Sequence, residues 1–480
     1  MHRCPVMLGL VGVTLVPGVA YATTAGDVGA CAATPIGTVI NANPSNYRAL
    51  LSSLSAGQRM RLAPGTYPDG LRFDGHNGSA DNCIIVEGPD VWPPTAVFTD
   101  RDCCNTVSIR DSSYLVIRNL EIDGTGMTDS IDGVKAESDS TFAHHITLEN
   151  LFIHDHDFSQ QTVCISTKVP AWNWVIRNNV LDTCGTGAYL GDSSGEDEFV
   201  AGLIERNLIV NAIGYDMQIK HQNGRATGLG SPADAVTIIR HNVMSKGSNS
   251  SGGTDARPNL LVGAWPSAGP GSDDDYLIYG NFLYRNPTGF EALFQGEGNV
   301  ILYDNLLVNP VGPGVYFQNN NGPPRRLRVF QNTVVASSDG IAVFGADTSN
   351  YEQWLRGNAV FATDPLTGGT QVSENVTDTQ ANASAYVTNP TGAPGVDLDL
   401  FPLANGTLQG AVNTLGLTGY EDADLDFNSN ARDVSSRGAY AGQGTNPGWM
   451  LALERKPVPV SIFADGFESG DTGAWSNSTP

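Results

Sequence analysis

Positive charge is scarce in this sequence. Its 480 residues carry 26 Lys and Arg against 50 Asp and Glu, a formal net charge of −24, and charged residues make up only 16% of the chain. A protein that binds the nucleic-acid backbone needs a basic face, so the composition argues against nucleic acid as a partner. A polyanionic ligand would need a local cluster of basic side chains or a bridging metal ion.

Long apolar runs are rare as well. Beyond residue 22 no stretch reaches the roughly 18 apolar residues that a membrane-spanning helix needs, so we expect no membrane span. At the N-terminus, His2 and Arg3 precede the apolar stretch Val6–Val19, and Ala20-Tyr21-Ala22 fits a small-x-small cleavage site. This pattern predicts a signal peptide over residues 1–22 and export through the Sec pathway, with the mature protein secreted or on the cell surface.

Cysteine is used sparingly and without the spacing of a zinc site. Once Cys4 is removed with the signal peptide, an even number of cysteines remains, which favours disulfides in an exported protein. They are Cys31, Cys83, Cys103, Cys104, Cys164 and Cys184. Cys164 and Cys184 fall in successive repeats and are candidates for one bridge. The alternative is that these residues are small buried side chains.

Glycine and proline are abundant instead. The 55 glycines and 27 prolines favour many short strands joined by turns. From Val116 onward the pattern aliphatic-x-x-Asn-x-aliphatic recurs at intervals of 24 to 39 residues. Repeats of this length with short strands are typical of a β-solenoid, in which each coil buries its apolar side only against its neighbours.

The asparagines of this pattern are expected to stack in a ladder at one bend of successive coils. Their side-chain amides can hydrogen-bond along the axis, and asparagine tolerates the left-handed backbone that a bend requires. The predicted ladder is Asn119, Asn150, Asn179, Asn207, Asn242, Asn281, Asn305, Asn332 and Asn358.

The segment before the repeats resembles a known fold. A helix start at Pro44-Ser45 is followed by Leu62-Ala63-Pro64-Gly65-Thr66-Tyr67 and by Cys83-Ile84-Ile85-Val86-Glu87-Gly88. This order resembles the opening of right-handed parallel β-helix proteins of the pectate-lyase-like superfamily. The resemblance implies an all-β chain folded as a right-handed parallel β-helix (β-solenoid) of about ten or more coils, with the helix covering its N-terminal end.

The C-terminal part departs from the regular pattern. Gly438-Ala439-Tyr440 resembles the closing coil of exported β-helix proteins, and Lys456–Pro459 has the composition of a linker. The last residues resemble a sorting tail of exported proteins from Gram-negative bacteria, the alternative being a disordered end. The predicted parts are the signal peptide (1–22), the N-terminal cap and first coils (23–115), the regular repeats (116–362), degenerate C-terminal coils and a cap (363–450), and the linker and tail (451–480).

A second apolar strand follows each asparagine, and its side chains alternate between inside and outside. The inward residues are predicted to be Val134, Ile165, Leu190, Ile219, Val262, Phe294, Phe317 and Phe344. The outward residues are predicted to be Lys135, Ser166, Gly191, Lys220, Gly263, Gln295, Gln318 and Gly345. In the resembled superfamily this strand carries the substrate groove, so we expect Lys220 in the groove, between Gly191 and Gly263.

Lys220 fits the general base of a uronate elimination. This reaction needs a base for the proton beside a carboxylate and a cation for the developing negative charge. Arg257 and Arg225, from the long loops around Asn242, or a calcium ion are predicted to supply that cation. The predicted calcium ligands are Asp192, Asp216 and Glu291. The predicted substrate contacts are Tyr189, Gly191, Gln218, His221, Gly263, Trp265 and Gln295. The alternative for Lys220 is an exposed residue that serves solubility.

Other features leave the function open. His154-Asp155-His156-Asp157 fits a divalent-metal site or a polar turn. The paired-carboxylate motifs of polygalacturonase-like hydrolases and the catalytic motifs of pectate lyases are missing from the sequence. We therefore predict a monomeric, exported polysaccharide lyase that acts on a uronate-containing polymer. The alternatives are a non-catalytic glycan-binding surface protein or adhesin and a glycoside hydrolase of the same fold.

Overall fold

The computed structural model of the chain describes residues 37–101, 103–137, 142–226, 228–413, 417, 419–432 and 436–458. The predicted signal peptide and C-terminal tail lie outside these residues. Most regular elements are short strands, and three long parallel sheets contain nearly all of them. Each coil passes through sheet 1, sheet 2 and sheet 3 in turn and continues into the next coil. The chain is a right-handed parallel β-helix, as predicted.

The sheets are numbered in the order in which the chain first enters them. The 15-stranded sheet 1 contains Val39–Ala42, Arg59–Leu62, Ile84–Glu87, Ser112–Arg118, Ala143–Glu149, Ala171–Trp172, Val175–Arg177, Phe199–Val200, Leu203–Glu205, Val236–Arg240, Asp275–Tyr279, Gly298–Tyr303, Pro324–Phe330, Gln353–Arg356 and Gln371–Ser373. The 12-stranded sheet 2 contains Gly65–Tyr67, Ala96–Phe98, Glu121–Asp123, Phe152–His154, Val180–Asp182, Leu208–Val210, Val243–Ser245, Phe282–Tyr284, Leu306–Asn309, Thr333–Ala336, Ala359–Phe361 and Val376–Asp378. The 11-stranded sheet 3 contains Leu71–Asp74, Val107–Arg110, Val134–Ala136, Val163–Thr167, Thr186–Leu190, Met217–Ile219, Leu260–Val262, Phe294–Gly296, Val315–Phe317, Asp339–Val343 and Asp364–Thr367.

Alternation of side chains creates the core of the helix. In the sheet 3 strand Met217–Ile219, Met217 and Ile219 are fully buried inside, while Gln218 between them lies on the outer face. Each aliphatic side chain buried in this way contributes about 1.5 to 3 kcal/mol to stability. The coils thus hold one another together through a single continuous core.

The asparagine ladder lies at the bend between sheets 1 and 2 and begins at Asn179. Asn207 Oδ1 accepts the Asn179 backbone N–H at 3.0 Å and its Nδ2 at 2.9 Å. The same pair of hydrogen bonds recurs along the axis through Asn207, Asn242, Asn281, Asn305, Asn332, Asn358 and Asn375. The predicted ladder is confirmed from Asn179 to Asn358 and extends one coil further.

Two predicted ladder residues, Asn119 and Asn150, pair with each other, since Asn150 Nδ2 donates to Asn119 Oδ1 at 3.3 Å, but they lie one position before the main ladder. Their φ angles are 56° and 52°, and they occupy the left-handed position that Asn178 holds in the next coil. Asn179 Oδ1 therefore accepts the N–H of Leu151, the residue after Asn150, at 2.9 Å. The bend uses one residue for its left-handed backbone and the next one for the ladder. The sequence pattern merged these two positions, because asparagine suits both.

The register of sheet 3 also differs from the prediction in several coils. The row that contains Lys220 includes Lys168, Gly191, Gly263 and Glu297. The residues Lys135, Ser166 and Gln295, which were predicted for this row, align with Gln218 two positions earlier. Phe344 was predicted to point inward, but it is 42% exposed, and the buried residue is its neighbour Val343. The turns between sheets 2 and 3 vary in length, so a constant spacing cannot align these strands.

A short helix packs on the first coils, and a disulfide links two later ones. The helix, α1 (Tyr47–Leu51), buries Tyr47 and Leu51 against the core. Its role as an end cap stays a prediction. The predicted bridge between Cys164 and Cys184 is confirmed, and it joins the sheet 3 strand Val163–Thr167 to the turn before the strand Thr186–Leu190 of the next coil. Within the described residues, no helix has the length and apolar character needed to cross a membrane.

The described residues between 380 and 458 leave the coil stack and run back along its outer side; we call them the C-terminal strap. The strap contains the 3-10 helix Gln380–Ala385 and one antiparallel pair, Val387–Asn389 with Asp399–Pro402. Its apolar side chains, such as Leu400 and Phe401, cover outward-facing residues of sheet 2. This part therefore packs along the side of the helix and is more than a set of terminal coils.

The far end of the strap reaches the middle of the helix. Arg455 donates a hydrogen bond to the Asn178 carbonyl at 2.7 Å. Lys456, which the sequence placed in a linker, is only 5% exposed. Its amine donates to the carbonyls of Gly280 and Phe427 at 3.0 and 2.7 Å. Residues 455 and 456 are thus anchored to the coils, where a free linker was predicted.

Candidate active site

A cleft of about 460 Å³ lies on the outer face of sheet 3. It extends over the strands from Val134–Ala136 to Met217–Ile219 and is closed at one side by the loop that carries Arg257. Its lining is Asp132, Lys135, Gln160, Gln161, Val163, Ser166, Lys168, Thr186, Tyr189, Ser193, Tyr215, Gln218, Lys220 and Arg257. The residue types are basic, hydroxyl and amide, with one carboxylate among the described residues.

Lys220 stands directly after the strand Met217–Ile219, where the neighbouring coils have glycine. Its backbone N–H donates to Leu190 O, and the Gly263 N–H donates to Ile219 O, both at 2.9 Å. A Cβ atom on Gly191 would lie 3.3 Å from Lys220 Cβ, and one on Gly263 would lie 2.7 Å from the Lys220 carbonyl carbon. The two glycines therefore leave the lysine with open space along the axis. Within the described part of the chain, its amine makes no hydrogen bond or ion pair.

The environment of Lys220 favours its uncharged form. Burial lowers the pKa of the Lys220 amine, and the charge of Arg257 lowers it further, while Glu297 and Asp192 oppose the shift. The net direction is downward from the ordinary value of 10.5. An amine with a lowered pKa is available as a base at a lower pH than a solvated lysine.

Lys168 is a second amine in the cleft, and the sequence interpretation missed it. Its Nζ lies 3.3 Å from the centre of the Tyr189 ring and donates to Gly191 O at 3.2 Å. Burial lowers the pKa of Lys168 to about 7, and the charges of Lys135 and Lys220 act in the same direction. The interpretation counted Ser166 as the outward residue of this coil, so Lys168, two positions later, was left out. The signal that would have found Lys168 is its place directly after Thr167, the buried last residue of its strand. Lys220 directly follows Ile219 in the same way.

Lys135 lies on the same face, but it is already paired. Its amine lies 3.1 Å from Asp132 Oδ2 and 3.1 Å from Glu137 Oε2. Asp132 is itself held in place, because its Oδ1 accepts the Val163 N–H at 2.8 Å. The charge of Lys135 is therefore already neutralised by two carboxylates.

Arg257 and Tyr215 line the opposite edge, near the starts of the strands. The Arg257 guanidinium lies 5.9 Å from the centre of the Tyr215 ring. Its backbone is fixed from below, because Lys246 Nζ donates to Arg257 O at 2.6 Å and Asn286 Nδ2 does so at 2.9 Å. Burial raises the pKa of Tyr215, so this phenol keeps its proton around neutral pH. Tyr215 was not among the predicted site residues.

The floor of the cleft contains polar atoms without protein partners. Gln218 is 3% exposed, and its Oε1 has no hydrogen-bond partner among the described residues. The Ser166 hydroxyl is fully buried and equally unpaired. Leaving a buried polar atom unpaired costs about 1 to 3 kcal/mol. Both residues line the cleft, so these atoms lie just beneath the surface that a ligand would contact.

Several predicted contacts are not brought into the cleft. Arg225 is buried and forms an ion pair with Asp274, since the Gly-rich loop folds back on itself. Trp265 is 2% exposed and stacks on Tyr276 in the core, so its ring cannot meet a sugar. Gln295 is buried two coils away, outside the cleft lining.

Two more predicted contacts are near the cleft but play different parts from those expected. His221 packs against Gly195, where an added Cβ would lie 2.8 Å from its ring, and does not line the cleft. Tyr189 does line the cleft, but its ring face is covered by the Lys168 amine. A sugar therefore meets the cation at this point before it meets the ring.

The predicted calcium ligands Asp192, Asp216 and Glu291 do not form a group. Asp192 Oδ1 accepts the backbone N–H groups of residues 195, 196 and 197, which occupies that oxygen. Asp216 is fully buried beneath the strand, where burial raises its pKa to about 7 and the charge of Lys246 opposes the rise. Calcium prefers six to eight oxygen ligands, and the basic cleft does not provide them.

An acidic cluster that does bring possible ligands together lies on the outer face of sheet 2. Ligand atoms of Glu121, Asp123 and His154 lie within 4.8 Å of one another. His154 Nε2 is 3.2 Å from Glu121 Oε1, and its Nδ1 is 2.7 Å from Asp155 Oδ2. One histidine of the His-Asp-His-Asp run thus has two carboxylates of the preceding coil close to its ring.

A larger depression, of about 550 Å³, lies at the bend between sheets 1 and 2 near the N-terminal end. It holds Arg59, Arg61 and Arg118, which are paired with the carboxylate of Glu87 at 3.3, 3.0 and 2.7 Å. Glu149 adds a further negative charge beside Arg118. These charges largely satisfy one another, so the depression lacks the unpaired cations of the sheet 3 cleft.

No protein-family model and no curated protein matches the sequence. Similar solved structures include the pectate lyase Pel9A, at 12% identity and a TM-score of 0.46, with 88% of this chain and 100% of that chain covered. The Azotobacter vinelandii mannuronan C-5 epimerase AlgE4 A-module is 14% identical over 69% of this chain and 93% of that chain, with a TM-score of 0.41. An alginate lyase from Paenibacillus sp. str. FPU-7 is 17% identical over 58% of this chain and 97% of that chain, with a TM-score of 0.38. These structures share the parallel β-helix architecture that the opening segment of the sequence resembles.

Proposed function

We propose that the protein is a polysaccharide lyase that cleaves an acidic, uronate-containing polysaccharide by β-elimination in the sheet 3 cleft. One observation carries this proposal. Among the described residues, four basic side chains and one carboxylate line a cleft in a chain whose net charge is −24. The unpaired oxygens of Gln218 and Ser166 on its floor match the hydroxyl groups of a sugar. An anionic glycan satisfies both features.

In this proposal Lys220 is the base. Its neutral amine removes the proton from the ring carbon next to the carboxylate, and the electron pair of that bond forms the new carbon–carbon double bond. The bond to the glycosidic oxygen breaks, and this oxygen takes a proton from the Tyr215 hydroxyl. Arg257 stabilises the negative charge that develops on the carboxylate. The base thus lies on one edge of the cleft, and the proton donor and the stabilising cation lie together on the other.

The proposed base has a defined dependence on pH. Lys220 acts only when it is neutral, so the rate rises as the pH rises through its pKa. Because burial lowers this pKa, the rise comes at a lower pH than a solvated lysine would give. A catalytic amine contributes about 100- to 10,000-fold to the rate, so its removal should cost that much.

Hydrolysis is less well supported by the same cleft. A glycoside hydrolase needs two carboxylates about 5 to 9.5 Å apart. Among the described lining residues only Asp132 is acidic, and it is bound by Lys135 and the Val163 N–H. A purely glycan-binding role has no specific observation in its favour, and it is an outcome of the test below.

We also propose that the protein works outside the cytoplasm and acts on a polymer. The signal-peptide pattern of residues 1–22 supports this location. The proposed reaction assigns no role to calcium, because the cleft residues do not fit the ion and the Glu121, Asp123 and His154 cluster lies on sheet 2, outside the cleft. Calcium is therefore only varied in the assay.

The test is to incubate the purified protein with pectate, alginate, glucuronan and glycosaminoglycans, with calcium and with a chelator. We expect at least one polymer to give the ultraviolet absorbance of an unsaturated uronate. Lys220→Ala should lose at least about 100-fold in kcat. The control is Arg72→Ala, which removes an exposed basic residue from the same face of sheet 3 but outside the cleft. Binding without any product would favour the glycan-binding alternative, and full activity in Lys220→Ala would remove the lysine from the mechanism.

A further inference from the structure

We propose that Lys168, held against the Tyr189 ring, is a second carboxylate subsite beside the reacting centre, so the preferred substrates contain consecutive uronate units. This inference rests on the proposed function of the cleft. It concerns the unit of the polymer next to the one that reacts, and it sets which uronate polymers are cleaved.

The Lys168 amine is held in place by contacts that do not use all of its donors. Its Nζ is held by two contacts, the Tyr189 ring at 3.3 Å and the Gly191 carbonyl at 3.2 Å. An ammonium group has three donors, so it keeps capacity for a ligand after these contacts. Lys135, on the preceding coil, cannot take this role because its amine is paired with Asp132 and Glu137. Lys168 is therefore the amine at this end of the cleft that can bind an anion.

Lys168 and Arg257 both line the cleft, but they belong to opposite ends of the sheet 3 strands. Lys168 follows the end of a strand, whereas Arg257 precedes the start of one. In the proposed reaction Arg257 serves the reacting unit together with Lys220, whose pKa its charge lowers. Lys168 is the cation that remains for the carboxylate of a second unit.

The separation of Lys168 and Lys220 along the helix axis also suits two neighbouring sugar units. Lys168 Nζ lies on the coil of Gly191, one coil before that of Lys220. Successive coils are about 4.8 Å apart. A hexose unit within a chain is about as long as one coil is high, so a polymer that runs along the axis places the next unit over Lys168. Gly191 has no side chain there, which keeps the path between the two lysines open.

Proton linkage gives the subsite a specific signature. Burial and the charges of Lys135 and Lys220 lower the pKa of Lys168 to about 7, against the opposing charges of Asp132 and Asp192. At pH 8 most of the amine is therefore neutral. A bound carboxylate favours the ammonium form and raises this pKa, so binding at pH 8 takes up a proton. The nearby carboxylate of Glu137 is already paired with Lys135 and does not replace the incoming ligand.

The experiment compares two substrate types, an oligosaccharide of consecutive uronates and one in which uronate alternates with an uncharged N-acetylhexosamine. Lys168→Met should lower the kcat/KM ratio of the consecutive to the alternating substrate at least tenfold, mainly through KM. Lys168→Arg should restore much of that ratio, and Arg72→Ala should leave it as it is. Calorimetry at pH 8 in buffers of different ionisation enthalpy should show close to one proton taken up by the wild type and none by Lys168→Met.

The outcomes separate the two proposals. If Lys168→Met lowers activity on both substrates by the same factor, or removes kcat while KM stays the same, then Lys168 serves the reaction or the fold and the subsite is refuted. If the wild type gives no unsaturated product from any polymer, the lyase proposal fails. Calorimetry on the consecutive oligouronate still decides the subsite in that case, because absent binding or absent proton uptake refutes it.

Discussion

Replacing Gly263 with alanine should disable the cleft while the coil stack remains folded. A Cβ atom at this position would lie 2.3 Å from His221 N and 2.7 Å from the Lys220 carbonyl carbon. Ordinary van der Waals contact begins at 3.4 Å. The strands must therefore move apart by roughly 1 Å, because a packed interior has no spare volume and the contacted atoms are backbone. The displaced segment is the one that carries Lys220.

The two consequences of this shift differ in size. Overpacking of this kind costs about 1 to 3 kcal/mol of stability, which a large solenoid core tolerates. A displacement of about 1 Å at a catalytic group costs about 100-fold in rate. We therefore expect kcat/KM to fall about 100-fold while the protein stays folded. Initial rates of unsaturated product measure the first quantity, and circular dichroism with urea unfolding measures the second.

Gly224→Ala is the matched control. Gly224 lies only a few residues beyond Lys220, and a Cβ atom there would meet nothing within 4 Å. The Gly224→Ala variant should cleave the substrate at the wild-type rate. Wild-type activity in Gly263→Ala would refute the reasoning, because it would mean that the place of the Lys220 backbone does not govern the reaction. Equal loss in both variants would point to a general effect of the substitution instead.

Three further predictions concern stability, measured by denaturant or thermal unfolding. Asn242→Ala leaves buried ladder partners unpaired and should cost about 3 to 5 kcal/mol, whereas Asn375→Ala, at the partly exposed end of the ladder, should cost about 1 kcal/mol. Arg432→Met should cost about 3 to 5 kcal/mol, because it removes the partner of the buried Asp304, 2.6 Å away. Cys164→Ala opens the bridge between neighbouring coils and should cost about 2 to 4 kcal/mol. A loss below 1 kcal/mol in Asn242→Ala, in Arg432→Met or in the cysteine variant would contradict the contact assigned to it.

The repeat was readable from the sequence because one residue type recurs where backbone geometry demands it. The asparagines from Asn179 to Asn358 predicted the ladder, and through it the parallel coils. Asn119 and Asn150 misled the alignment by one place, since the left-handed bend position next to the ladder accepts asparagine as readily as the ladder itself. The displacement is confined to these two coils, where the two asparagines pair with each other at the bend position.

The candidate site was predictable only in part. The place of Lys220 between Gly191 and Gly263 followed from alternation within the strand, and the structure has this arrangement. Lys168 was missed because its coil has a turn of different length, which moved the row by two residues. Arg225 was assigned by proximity in sequence, but its loop folds back so that Asp274 binds it. Pairing of charges across loops depends on tertiary contacts that spacing alone does not contain.

Trp265 illustrates a different limit. Trp265 was predicted as a substrate contact, yet its indole is buried and stacks on Tyr276. A large apolar ring gains more from the core than from solvent, so burial is the lower free-energy outcome wherever space exists. Whether that space exists depends on neighbouring coils.

The C-terminal strap has a consequence for how such a protein can change length during evolution. Repeat arrays ordinarily gain or lose units with little penalty, because each unit contacts only its neighbours. Here one continuous segment is fixed at Gly357, where Gly438 N donates to its carbonyl at 2.9 Å, and again at Asn178, which Arg455 contacts. Adding one coil between these anchors would separate them by about 4.8 Å more while the strap kept its length. The length of the strap therefore restrains the number of coils, and duplication or deletion of coils is tolerated better outside the region between Asn178 and Gly357.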